Sequence, residues 1–250
     1  MDYIKDILYV NGLAFKRTLD SRKYFLIIGV ILVFNFFITA AVNRAIAVLI
    51  PLFNIPFLWG IVRYLVNVAT LSLLMVALSK VLRKQVLNFN NFTHDWQTFI
   101  NPLMSTMFIF WLIEMLMDLF MESGVSSIPG LSIALTYAYQ ILESPLLETV
   151  YIEGESGQTA LFSILDFLKK NYLQWIPIII VFPILRLYMS RISFASGFGL
   201  DFLSLLPMII VWILLTAFIY IYKGHLYEIL SQSSMRKRKF MKEADDDLYR

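Results

Sequence analysis

The 250-residue chain contains no cysteine. Disulfides, thiolate nucleophiles and thiolate metal sites are therefore excluded, and either redox compartment is compatible. Charge is also scarce, at 16% of residues against roughly 25% in an ordinary soluble domain. Only two histidines occur, His94 and His225, so a histidine-based zinc site would need unusual help from carboxylates. Sequences of the form GxxxxGK[ST], HExxH and GxSxG are missing, which excludes P-loop nucleotide hydrolysis by the chain itself. A serine–histidine relay would have to recruit one of the two histidines. No enzymatic activity, cofactor or metal is expected from this inventory.

What the chain does have is apolar length: 59% of its residues are hydrophobic, and runs of about 20 recur, each long enough to cross a hydrocarbon layer roughly 30 Å thick. The expected fold is an all-α, polytopic membrane bundle. Six runs qualify, at Tyr24 to Val42, Ile61 to Leu82, Pro102 to Phe120, Ile128 to Thr149, Tyr172 to Ser190 and Phe202 to Tyr222. Between the first two, Ala45 to Gly60 is apolar but carries Pro51 and Pro56, each lacking a backbone donor.

Cation placement settles how that stretch is read. With six crossings, Lys5, Lys16, Arg17, Arg22, Lys23, Lys80, Arg83, Lys84, Lys169, Lys170 and the C-terminal cations share one side, leaving Arg44, Arg63, Arg186 and Arg191 on the other. Such an excess marks the cytoplasmic side. A further crossing at Ala45 to Gly60 would destroy the bias, so this stretch is expected to be interfacial or re-entrant, with Trp59 at headgroup level and both termini cytoplasmic. A cleaved signal peptide fits poorly, because the polar leader exceeds 20 residues and the first apolar run is longer than a signal core of about 7 to 15.

Helical periodicity replaces uniform apolarity before spans one, three and five. Ile4, Ile7, Leu8 and Phe15 form one face; Phe89, Phe92, Trp96, Phe99 and Ile100 form a second; Leu161, Ile164, Leu165, Leu168 and Tyr172 form a third. Such helices lie in the interface plane. The pattern helix–span–span thus recurs at about residues 1–84, 85–150 and 155–230 within one domain, residues 1–230, followed by a charged tail at 231–250. Any polytopic protein with short loops produces a similar impression without duplication.

Intramembrane charges are the natural functional candidates, at about 2.5 to 3.5 kcal/mol each on insertion scales. Glu114 and Asp118 share a face at i, i+4, and Arg63 and Arg186 are available at similar depth. These four either form an outer-leaflet polar cluster or reach separately for headgroups. Glu143 and Glu148 flank Pro145, where a kinked helix would admit a polar group; they form a candidate cation or proton site, or else Glu148 is solvated at the interface. In the tail, Arg236, Lys237, Arg238 and Lys239 are suited to anionic lipid headgroups at about 1 kcal/mol per residue near the surface. Nucleic acid is not an expected partner.

The segments YIKDILYVNGLAFKRTLDSRKYF, NFNNFTHDWQTFINP and SPLLETVYIEG followed by SILDFLKKNYLQWIP resemble a group of uncharacterised six-span membrane proteins of Gram-positive bacteria. They are loosely similar to the membrane domain found beside some glycerophosphodiester phosphodiesterases, whose soluble catalytic domain is absent here. The order of elements also resembles small permease subunits of ABC exporters. That resemblance implies an elbow helix at Met1 to Arg17, a helix at Asn88 to Asn101 engaging a separate ABC ATPase, and a role in transport. The competing expectation is a non-enzymatic scaffold or regulatory module that assembles with another membrane protein or with lipid.

Overall fold

The computed structural model describes residues 3–49, 56–85, 92–122, 130–197 and 202–240; side chains at 49, 56–57, 92–93, 182, 185–197, 202–206 and 208 are outside the description. Helices account for nearly all of it, and no strand occurs among the described residues. They are α1 (Tyr3–Asp20), α2 (Phe25–Leu49), α3 (Pro56–Leu82), α4 (Phe92–Glu122), α5 (Leu131–Glu143), the single turn α6 (Leu146–Glu148), α7 (Gly157–Gly197) and α8 (Phe202–Gln232). A 3₁₀ turn at Arg22–Tyr24 joins α1 to α2, and a π turn at Thr149–Glu153 follows α6.

Four helical stretches among the described residues are long and apolar enough to cross a membrane: Arg22–Val48, Leu58–Leu82, His94–Glu122 and Ile209–Gln232. Their outward residues suit a hydrocarbon solvent. Val30, Phe34, Phe37 and Val48 of α2, and Leu116, Leu119 and Phe120 of α4, are large, apolar and exposed. Lipid supplies no hydrophobic force between such helices, so close approach of backbones has to hold them together. Small residues sit at the contacts accordingly: Ala14, Ala77, Ala160 and Ala217 are fully buried, and a β-carbon on Gly29 of α2 would come within 2.9 Å of Ile213 on α8.

The three amphipathic stretches behave differently from one another. Only the first is a separate helix. The second, from Phe92 onward, continues without a break into α4, anchored on α3 by a Lys80–Asp95 ion pair and by Trp96, whose indole N–H lies 3.1 Å from the Ala69 carbonyl. The third runs into α7 past Asn171, where φ −126° and ψ 15° depart from the helix; the Asn171 amide answers the disturbance by donating to the Phe167 carbonyl at 3.2 Å. Residues 86–91 of the second stretch lie outside the described residues. Likewise, Ala45 to Leu49 simply continue α2 and Pro56 to Gly60 begin α3, where a proline without an N–H costs nothing in the first turn; only 50–55 lie outside the described residues.

Helix α1 presents three faces. Asp6, Val10, Ala14 and Thr18, spaced by four, are buried where α1 meets α7 and α8. Ile4 and Leu8 are 70% and 68% exposed, and with Phe15 and Leu19 they form an apolar stripe on another side. Lys5, Lys16 and Asp20 lie between the two, exposed. The start of α2, the end of α3, the end of α8 and both ends of the described chain gather at one face of the bundle. There the Tyr24 hydroxyl lies 3.4 Å from the Gln85 carbonyl and Arg238 meets Asp6.

Candidate functional site

The fourth apolar run does not form one helix. Pro145 lacks an N–H and its ring crowds the preceding turn, so α5 ends at Glu143 and the Ser144 hydroxyl caps the freed Ile141 carbonyl at 2.7 Å. The chain resumes as α6 and a π turn, closed by Gly154 at φ +77°. Residues 144–151 are all buried, enclosed by α3, α4, α7 and α8. A segment buried on every side brings its polar residues inside with it. Glu148, Thr149 and Tyr151 therefore all face neighbouring helices.

Those partners lie mainly on one stretch of α8. Lys223 Nζ is 3.0 Å from Glu148 Oε2, with the two side chains 3% and 0% exposed. Gly224 leaves room for the Tyr151 phenol. Tyr227 shares a 2.9 Å hydrogen bond with Thr149 and stacks on Phe167 at 4.3 Å between ring centres. Trp175 meets both rings edge-on and donates its indole N–H to the Ser144 hydroxyl at 2.8 Å. An isolated charge this deep would cost several kcal/mol, and it is tolerated because its counter-charge is in contact.

Beside the ion pair a cleft of about 110 Å³ opens between α3, α4, α5, α7 and α8. Its walls are largely apolar, with Leu71, Met107, Ile179 and Pro183 among them; the polar groups are Tyr137, Gln140, Glu143, Ser144, Tyr220 and Lys223. Gln140 Oε1 is buried there without a hydrogen-bond partner. Lys223 Nζ also sits over the Tyr220 ring at 5.9 Å, within cation–π range.

Two further polar groups tie the terminal helices to this core. Ser21 Oγ lies 3.3 Å from His225 Nε2, and His225 Nδ1 lies 3.8 Å from Glu228, which Arg17 approaches at 3.6 Å. The order serine, histidine, carboxylate has the form of a relay. Its serine nevertheless donates to the Arg17 carbonyl at 3.0 Å, is buried, and does not line the cleft. The arrangement fastens the α1–α2 corner to α8.

The second group is a clamp. Arg238, on the helical turn 235–240, donates to Asp6 through Nε at 2.9 Å and through a terminal nitrogen at 2.8 Å, and Gln174 of α7 adds a bond at 2.8 Å. Burial pushes the Asp6 carboxyl up, but the Arg238 guanidinium and the Gln174 amide outweigh it and hold Asp6 below the usual carboxylate value. Asn11 reinforces the junction: it donates to the Gln174 carbonyl at 3.3 Å and accepts from the Tyr222 hydroxyl.

Of the residues singled out in the sequence, Glu143 and Glu148 are placed at the cleft and its adjoining ion pair. Glu114 and Asp118 lie exposed on α4, and Arg63 lies exposed in a groove between α2 and α3 with Thr39, Asn43 and Asn67. The Arg186 side chain is outside the described residues. Arg236, Lys237 and Lys239 are exposed at the terminal face, whereas Arg238 is turned inward to Asp6. Among the described residues, no three of His, Cys, Asp and Glu gather in a metal-holding group. Lys223, Asp6 and the Ser21–His225 pair escaped sequence reasoning; the one available signal was Lys223–Gly224–His225, a polar interruption in an otherwise apolar run. In comparisons with known proteins the chain matches no family model, no curated protein and no solved structure.

Proposed function

We propose that this chain is a permease-like, transport-associated subunit of the cell membrane, crossing it six times with both termini cytoplasmic. The observation that carries this reading is the cleft. It is bounded by five of the helices and walled by apolar and aromatic side chains, with a buried ion pair at its side. A helical module that only held partners together would gain nothing from an interior cleft with a buried ion pair at its side, where each charge costs free energy. The sequence contains no P-loop, so on this reading the driving energy comes from a separate ATPase or from an ion gradient. The cation-rich terminal face is the surface that such an ATPase engages.

The absence of cysteine makes the test direct. Gln140→Cys places a single thiol on the cleft wall, and Leu103→Cys places one at a fully buried position away from it. In membrane vesicles, a water-soluble, membrane-impermeant thiol reagent is expected to modify the first and spare the second. Equal inertness of both would overturn the transport reading in favour of a closed scaffold.

A further inference from the structure

We infer that the groove between α2 and α3, at the end of the bundle away from the terminal face, is a binding site for one anionic glycerophospholipid. The inference depends on α2 and α3 crossing the membrane and not on transport. The groove is lined by Thr39, Val42 and Asn43 of α2 and by Arg63, Val66 and Asn67 of α3. These helices run antiparallel, so their polar residues match by depth. Asn43 and Arg63 each lie five residues in from the ends of the apolar stretches at Val48 and Leu58, and Thr39 and Asn67 each lie nine residues in. That makes an upper tier roughly 8 Å and a lower tier roughly 13 Å inside those ends.

The two stretches hold 27 and 25 residues. They extend roughly 40 and 37 Å, so each overshoots a hydrocarbon layer of about 30 Å by about 4 Å at either end. The upper tier therefore lies just under the hydrocarbon boundary, where a long guanidinium side chain reaches a lipid phosphate. The lower tier lies one helical turn deeper, at the level of the glycerol esters.

The chemistry follows the same order. A guanidinium has five N–H donors and no acceptor, and each asparagine amide adds two donors, whereas a phosphodiester and an ester carbonyl offer acceptors only. Arg63, Asn43 and Asn67 are all exposed. The Thr39 hydroxyl donates to Asn35 Oδ1 at 3.2 Å, so the donor of the lower tier is Asn67. Val42 and Val66 stand between the tiers and give the glycerol an apolar wall. At about 370 Å³ the groove far exceeds the roughly 10 to 15 Å³ that one water requires. Amides on the outer surface of a helix pair are unfavourable in hydrocarbon unless a polar group meets them, and a headgroup does so. Charge then selects the lipid: Arg44 is exposed next to Asn43, while Glu114 and Asp118 lie on α4 and do not line the groove. Two cations at one edge favour a headgroup of net negative charge over a zwitterionic one.

The probe is dioleoyl phosphatidylglycerol, titrated onto the purified full-length protein in neutral detergent and counted by native mass spectrometry. One tightly held lipid per chain is expected, with dioleoyl phosphatidylcholine about tenfold weaker and inorganic phosphate not retained. Arg63→Gln is expected to weaken the lipid about tenfold and Asn67→Leu about threefold, while Lys237→Gln at the terminal face leaves the affinity unchanged. Unliganded unfolding temperatures check that each variant folds; should Arg63→Gln not fold, Asn67→Leu alone decides. Asp201 lies outside the described residues, and Asp201→Asn is expected to have no effect. Equal retention of the two lipids, saturation by inorganic phosphate alone, or an affinity unchanged by the groove variants would each overturn the inference. So would tighter binding in Asp201→Asn, since Arg63 would then belong to that carboxylate, or a lipid-free dimer that Arg63→Gln dissolves, since the groove would then belong to a second copy.

Discussion

The phenol oxygen of Tyr151 lies 2.5 Å from the point that a β-carbon on residue 224 would occupy, with a Leu82 methyl 3.2 Å from the same point. Gly224 is therefore the close approach that lets the π turn of one chain segment lie against α8. Between Lys223 and His225, it keeps the backbone near enough for Glu148 to reach Lys223.

Gly224→Ala should force Tyr151 outward and cost about 1 to 3 kcal/mol, in the range of core overpacking. Tyr151→Phe removes the clashing oxygen, so the double variant should recover part of the loss. Thermal unfolding in detergent measures both. Equal stability of Gly224→Ala and the parent chain would show that the approach is looser than described.

Acid should open the clamp at the chain's ends. Asp6 is held below the ordinary carboxylate value, so the folded form binds its proton more weakly than the unfolded form does. The clamp's contribution is thus complete above the unfolded value of about 3.9 and is lost as pH falls through the lower folded value. Limited proteolysis of the tail near Arg238 should be slow at pH 7 and at pH 5, where Asp6→Asn should already be cut faster. A parent tail cut equally fast at pH 5 and in the Asp6→Asn variant would contradict this.

The aromatic group behind the ion pair should contribute through packing more than through polarity. Trp175 is fully buried, and Trp175→Ala should cost about 3 to 5 kcal/mol. Tyr227→Phe keeps the ring and removes the hydroxyl bonded to Thr149, and about 1 kcal/mol is expected. Tryptophan-to-alanine and tyrosine-to-phenylalanine losses of similar size would reverse that ranking.

The helices were legible because apolar length and periodicity are local properties. The run Tyr24 to Val42 falls, apart from its first residue, within α2 and Ile61 to Leu82 within α3, and the amphipathic opening is α1. Pro145 was readable as a kink, since a proline's missing donor acts on its own turn, but the run Ile128 to Thr149 was read as one crossing and is instead interrupted there. What sequence could not show is pairing across distance. Lys223 counts as one more cation after the last apolar run, and only the packing of α8 against the π turn sets it beside Glu148, 75 positions away. Arg238 sits in a basic run whose members look alike, yet one faces Asp6 and the others face outward. The burial of a charge depends on which helices surround it, and that is decided by tertiary contacts that no single-segment pattern contains.

The Glu148–Lys223 pair is the centre of this account, and a double-mutant cycle on it is the most direct test. Lys223→Met alone strands a fully buried carboxylate and should cost about 3 to 5 kcal/mol, as should Glu148→Leu by stranding the ammonium. The double variant removes both charges and should be far more stable than the sum of the two losses implies. Losses that simply add, with no coupling between the positions, would mean that the two side chains do not meet, and the site built around them would not exist.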